Sequence, residues 1–310
     1  MDNVIHTQNL TKIYQGTTRA LDSLNLDVQR GEIFGYLGPN GAGKTTTIRL
    51  LLDIIRPTTG SATVLGMDAR ADSVAIKQRI GYLPGELNLW DRQTAHQIIQ
   101  FVGAARGGYD ERYVRTLAER LQFDLSKKIR SYSTGNKRKF GLILALMNKP
   151  DLLILDEPSS GLDPLMQQTF YQLMQEARAE GKTVFLSSHI LSEVQAICDR
   201  VGILREGKLE AVQRVSQLTH ADFRHVTVRL REPAPAALLA NVPGISAVTV
   251  EDKVIKLQLN GDFDPLLRAL SSAYVEDIAV EEPTLEEVFL KFYNVRGNRP
   301  EGRQNEAVAS

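Results

Sequence analysis

The stretch EIFGYLGPNGAGKTTTIRLLLDII, residues 32–55, constrains the fold more than any other part of the chain. An apolar run, a glycine-rich turn and a helical apolar pattern in that order predict a strand, a tight loop and a helix. Gly38, Gly43, Lys44 and Thr45 fill the fixed positions of GxxxxGK[ST]. Glycines let backbone N–H groups turn inward around phosphate oxygens, and the helix start adds its positive dipole end. The cradle is therefore predicted to comprise Gly38, Pro39, Asn40, Gly41, Ala42, Gly43, Lys44, Thr45 and Thr46. Lys44 is expected to reach the β- and γ-phosphates, and the Thr45 hydroxyl to bind Mg²⁺.

Continuous apolar runs recur at IGYLP (80–84), LLILDE (152–157) and TVFLSS (183–188). Runs without alternation predict a mainly parallel sheet covered on both faces. VIHTQNLTKIY, ALDSLNLDVQ and GSATVLG alternate more and predict an antiparallel layer beside it. Between Leu87 and Lys149 the pattern turns helical, in TAHQIIQFVGAARG, DERYVRTLAERLQ and a third helix opening near Gly135. Asp156 and Glu157 emerge at the carboxyl end of a buried strand, where open α/β sheets bind their ligands. Asp156 is expected to hold Mg²⁺ through water, and Glu157 to orient or deprotonate an attacking water.

At 310 residues the chain is long enough for two domains. A boundary is expected near residues 214–222, because the sequence then reads βαββαβ plus a helix, a ferredoxin-like order, up to about residue 293. Residues 294–310 contain almost no large apolar side chains, and a disordered tail is expected there. Lys plus Arg and Asp plus Glu both number 37, so no charge excess points to nucleic acid, and none is expected as partner. The local KRK at 137–139 reads as a solvated helix face, with a local nucleic-acid surface as the alternative. Cys198 is the only cysteine, which excludes an intrachain disulfide and suits a reducing compartment. The N-terminal MDNVIHTQNL does not read as a signal peptide, and every apolar run falls short of the roughly 18 to 20 residues a membrane span needs.

The motifs GPNGAGKTT, YSTGN (132–136), LLILDE, SGLD (160–163) and FLSSHI (185–190) follow one another in the order found in ATP-binding subunits of ABC transporters. Residues 1 to about 213 resemble that family closely. The resemblance implies an α/β P-loop NTPase core of ABC type, residues 1–214, with an antiparallel layer and a helical subdomain at 87–149. A small α+β accessory domain would follow at 222–293. It implies ATP and Mg²⁺ as cofactors, ATP hydrolysis as activity, and a second copy of the chain as partner. In this family the YSTGN-like segment of one subunit closes over the γ-phosphate held by the other. Ser133, Gly135 and Asn136 would then act in trans, although a Ser-Thr-Gly-Asn run is also an ordinary helix cap. By the same resemblance Tyr14 stacks on adenine, His189 contacts the γ-phosphate and Asp163 lies at the dimer seam; local packing and helix capping are the ordinary alternatives for Tyr14 and His189.

The chain departs from the family pattern at three places. A Gln that touches Mg²⁺ usually follows IGYLP; here Gly85 and Glu86 stand instead, and Glu86 is a candidate metal ligand. Thr134 and Asn136 replace the usual Gly and Gln. The adjoining ELNLWD, with Leu87, Leu89 and the sole tryptophan Trp90, suits either a groove for a membrane subunit or local core. YSTGN, YLPGE and EEPTLEEVFLKFY resemble the bacterial branch that exports drugs, antibiotics or lipid-like compounds. That resemblance implies separate transmembrane permease subunits and a place on the cytoplasmic face of the membrane. A soluble ABC ATPase acting on ribosomes or DNA, or an importer subunit, is the alternative.

Overall fold

The computed structural model describes residues 2–218, 223–233, 239 and 242–281. The chain divides into two compact units, Met1–Val215 and Ser216 onward.

The first unit opens with β1 (Asn3–Ile13), β2 (Arg19–Leu24) and β3 (Asp27–Gln29), followed by the phosphate strand β4 (Ile33–Leu37) and helix α1 (Lys44–Leu51). Strands β5 (Thr59–Val64) and β6 (Met67–Asp68), helix α2 (Ser73–Arg79) and strand β7 (Ile80–Leu83) come next. Three helices follow: α3 (Ala95–Ala105), α4 (Glu111–Arg120) and α5 (Thr134–Leu146). The unit closes with β8 (Leu152–Asp156), α6 (Pro164–Ala179), β9 (Thr183–Ser188), α7 (Leu191–Ile197), β10 (Arg200–Arg205), β11 (Lys208–Arg214) and the short α8 (Val215–Leu218), which runs into the second unit.

The main sheet has the order β11-β10-β4-β9-β8-β7, parallel throughout except for the β10–β11 hairpin. Every residue of β4, β8 and β9 is buried, as expected for strands covered on both faces. A Cβ at Gly35 would stand 2.9 Å from Val194 and 3.0 Å from Cys198, so this glycine lets α7 lie close on β4. The antiparallel layer pairs β1 with β2, β3 and β5, with β6 beyond β5. The segment ALDSLNLDVQ is broken into β2 and β3, with Ser23 at φ +51° just before the break.

Three helices form the insertion between β7 and β8. Thr94 and Gln97 build a capping box at the start of α3, and Asp110 caps α4. The start of α5 is fixed from behind: Phe123 lies 4.7 Å from Tyr132 and 5.5 Å from Phe140, ring centre to ring centre. The Tyr132 hydroxyl donates to the Asp124 carbonyl and, at 3.2 Å, to that of Lys127. Packing and hydrogen bonds thus hold the residue immediately before Ser133.

The second unit contains β12 (Phe223–Leu230), β13 (Ile245–Glu251), β14 (Val254–Asn260), α9 (Asp264–Leu270) and β15 (Val275–Glu281). Its sheet order, β13-β14-β12-β15 with every pair antiparallel, is the ferredoxin-like order anticipated from βαββαβ. Val226, Val228, Ile255, Leu257 and Leu259 share one face with Leu266 and Leu270 of α9. The helix expected at 284–293 and the tail at 294–310 lie outside the described residues.

Candidate functional site

The loop between β4 and α1 sits at the carboxyl end of the parallel sheet. Gly43 caps α1 at φ +111° and Gly41 has φ +83°, both in the region that disfavours a side chain. A Cβ at Gly43 would stand 2.5 Å from the Ala20 carbonyl oxygen, so no larger residue fits there. No side chain caps α1, which leaves its first-turn amides to an anion. Lys44 is only 6% exposed; its ammonium donates to the Gly38 and Pro39 carbonyls at 2.6 and 3.3 Å and stands 3.3 Å from Glu157 Oε1. A cleft of about 210 Å³ opens over the loop, lined by Ala20, Pro39, Asn40, Gly41, Gly43, Lys44, Thr45, Thr46 and Glu157. Gly38 and Ala42 support the loop from beneath; Ala42 is buried, and its carbonyl accepts from the Gly207 amide at 3.0 Å.

The two acids lie two strands away across the sheet, at the end of β8. Asp156 is buried and accepts from Thr45 Oγ1 at 2.8 Å and from Ser187 Oγ at 2.5 Å. Hydroxyl and carboxylate oxygens at this spacing are the hard donors Mg²⁺ takes. Among the described residues no group of three His, Cys, Asp or Glu side chains could hold a metal alone. The Thr45 hydroxyl and the Asp156 carboxylate together suit an ion that keeps several waters and takes phosphate oxygens, as Mg²⁺ does. Glu157 has φ +51°, and its amide donates to Ser187 Oγ at 3.1 Å and Ser187 O at 3.2 Å. Its carboxylate lies between Lys44 and His189, whose Nδ1 is 2.6 Å from Oε2.

The remaining expected residues lie outside the cleft lining. Ser133 caps α5, accepting from the Asn136 amide at 3.3 Å, and Asp163 caps α6, accepting from Met166 at 2.9 Å. A Cβ at Gly135 would stand 2.7 Å from the Gly161 carbonyl, so the start of α5 and the SGLD loop touch through glycine. Tyr14 follows β1, 38% exposed, with the Lys12 ammonium 5.2 Å above its ring. Glu86 is exposed and its side chain makes no hydrogen bond or ion pair with described residues. Its neighbour Gly85 is beside the acids: a Cβ there would be 3.2 Å from Asp156 Oδ2.

The structure corrects the reading of KRK as a solvated face. Arg138 and Lys139 are 4% and 9% exposed, and Arg138 turns toward the ends of β7 and β8. Sequence reading also missed Ser187, which joins Asp156 to Glu157; two hydroxyls at the end of a buried strand were the available signal. Trp90 is exposed and meets Phe101, also exposed, edge to face at 5.0 Å. Leu87 instead packs inward: a Cβ at Gly141 of α5 would be 2.8 Å from it.

Residues 21–160 match the ABC transporter family, and residues 207–293 match the C-terminal domain of ATP-binding proteins like DrrA1-3. An uncharacterised ABC transporter ATP-binding protein of Synechocystis is 35% identical over 95% of this chain and 86% of its own length. The bacitracin transport ATP-binding protein BcrA of Bacillus licheniformis is 36% identical, covering 77% of this chain and 79% of its own. The linearmycin resistance ATP-binding protein LnrL of Bacillus subtilis is 30% identical over 93% and 97%. Among solved structures, an ATP-binding subunit of an ABC transporter is 28% identical with a TM-score of 0.64, covering 69% of this chain and 91% of that one. The chain belongs to the ATP-binding subunits of ABC transporters, and it is an ATPase whose hydrolysis energises transport.

Proposed function

We propose that two copies of this chain close around two ATP molecules on the cytoplasmic face of the membrane and drive separate permease subunits that export an antibiotic, drug or lipid-like compound. Within one copy the phosphate cleft and the Ser133–Asp163 patch are separate, and that observation carries the dimer: each half supplies what the other lacks. The export assignment is supported by BcrA and LnrL, which match most of the chain.

Residues 1–214 are the ATP-binding domain in this reading, with 87–149 as its helical subdomain. Residues 222–293 are an accessory domain that enlarges the dimer or docks it. The amides of 41–45 and the Lys44 ammonium bind the phosphates, and Tyr14 takes the adenine on its ring. Thr45 and Asp156 hold Mg²⁺ with Glu86 as the further carboxylate; the ion supplies charge neutralisation at the phosphates. Glu157 accepts the proton of the attacking water while His189, hydrogen-bonded to it, orients that carboxylate and reaches toward the γ-phosphate. Ser133, Gly135 and Asn136 of the other copy close the site, with Asp163 at the seam. The exposed Trp90–Phe101 pair is the surface that receives a permease helix.

Tagged Glu157→Gln protein, which should bind ATP without turning over, is purified from detergent-solubilised membranes with Mg-ATP and its partners are identified by mass spectrometry. A stoichiometric polytopic membrane chain is expected. Ribosomal proteins without a membrane chain would replace this reading with a soluble ATPase.

A further inference from the structure

Arg138 is a buried cation with no carboxylate in ion-pair range among the described residues. All three guanidinium nitrogens donate to backbone carbonyls instead. Nη1 reaches Pro84 O at 2.6 Å and Gly85 O at 3.1 Å, Nη2 reaches Asp156 O at 2.5 Å and also Glu157 O, and Nε reaches Pro158 O at 3.3 Å. These carbonyls belong to the loops that leave β7 and β8, which are parallel neighbours in the sheet. Hydrogen bonds from a charged donor are roughly twice as strong as neutral ones, and a planar fork fixes direction as well as distance.

The geometry points to Arg138 as the positioning residue for the Glu157 carboxylate, tying the first turns of α5 to hydrolysis rather than to ATP binding. Glu157 holds a backbone conformation, φ +51°, that a non-glycine residue keeps only when its surroundings over-determine it. Two anchors do so. Ser187 takes its amide on one side and Arg138 its carbonyl on the other. Arg138 follows Ser133 on the same helix, so displacement of the helix start shifts the peptide that aims Glu157. The Gly85 carbonyl moves with it, which brings the loop before Glu86 into the same linkage. None of these contacts touches the phosphate-loop amides.

This inference rests on the ATPase reading, and the test separates the two. The full chain is assayed for ATP hydrolysis and for ATP binding as wild type, Arg138→Lys, Arg138→Met, Glu157→Gln and the Arg138→Met/Glu157→Gln double variant, each checked for a cooperative melt. A lysine keeps the charge but has no fork to span two loops, so it should not rescue. Both single Arg138 variants should lose about 100-fold in kcat, the scale of a misplaced catalytic group. Their KM should stay within about threefold of wild type. In the Glu157→Gln background the second change should cost nothing further, since both act on one group. Wild-type kcat in either single variant, a KM that rises with the loss, or a multiplicative loss in the double variant would overturn the proposal. So would failure of both single variants to fold, which assigns Arg138 to stability. Wild-type protein that binds but does not hydrolyse ATP would sink the ATPase reading itself.

Discussion

Substituting aspartate for Ser133 separates a helix cap from a phosphate ligand. The Ser133 hydroxyl accepts from the Asn136 amide at 3.3 Å and is exposed, so within one chain its visible work is capping α5. Ser133→Ala removes that bond at a cost of about 1 kcal/mol, a fall of about 2–4 °C in melting temperature for a domain of this size. Aspartate caps as well as serine, and its charge gains about 0.3–1 kcal/mol at a helix start. Ser133→Asp should therefore melt at or above the wild-type temperature. The dimer reverses this sign. A carboxylate about 4 Å from a γ-phosphate is opposed by about 4 kcal/mol per pair of charges at a near-surface dielectric, and solvent trims this. Hydrolysis should fall by about 10²–10³-fold. Thermal melts, steady-state ATPase rates and the sedimentation of each variant with and without Mg-ATP measure both effects. If Ser133→Asp hydrolyses ATP at the wild-type rate, Ser133 is a cap and nothing more, and the two-chain site loses its main support.

Three further outcomes are expected. Burial raises the Glu193 carboxyl above its ordinary range, with hydrogen bonds from Ser188 and Ser159 offsetting part of the effect, and Oε1 has no partner. A raised folded value means wild-type stability is full below the ordinary value of 4.5 and is lost as pH rises through the raised folded value, so Glu193→Gln should melt higher than wild type at pH 8 and converge with it near pH 4.5; a constant gap across pH would contradict this. Leu89→Glu with Trp90→Glu should leave ATP binding unchanged, since neither residue lines the phosphate cleft, while abolishing recovery of the permease; undiminished recovery would remove this surface from the interface. Glu86→Ala should raise the Mg²⁺ concentration needed for half-maximal hydrolysis, and an unchanged titration would leave the ion to Thr45 and Asp156.

What local sequence could reveal depended on whether a residue's surroundings lie nearby along the chain. The phosphate loop and LLILDE were legible because a buried strand announces itself by an unbroken apolar run and its end by the polar residues that follow. Arg138 was not, since a charge run ordinarily marks solvent and its five carbonyl partners lie 18 to 54 residues away. Leu87 and Trp90 show the same limit at closer range. ELNLWD left interface and local core equally open for both, yet the space left by Gly141 takes Leu87 inward while Trp90 stays out beside Phe101. Ser187 carries no local mark of its role, because the acids it joins, Asp156 and Glu157, stand 31 and 30 residues earlier in the chain.

The strand order carries a consequence for how the chain acquires its activity during synthesis. Strand β4 emerges early but pairs with β9 and β10, and β9 stands between it and the acid-bearing β8. A nascent chain that has produced the glycine loop, and even Asp156 and Glu157, has no strand to set the distance between them. Such non-local pairing forms late and slowly. Assembly of the full site therefore waits for β9: the ribosome has to release the segment ending in His189 before the glycine loop and the two acids can be set around one nucleotide.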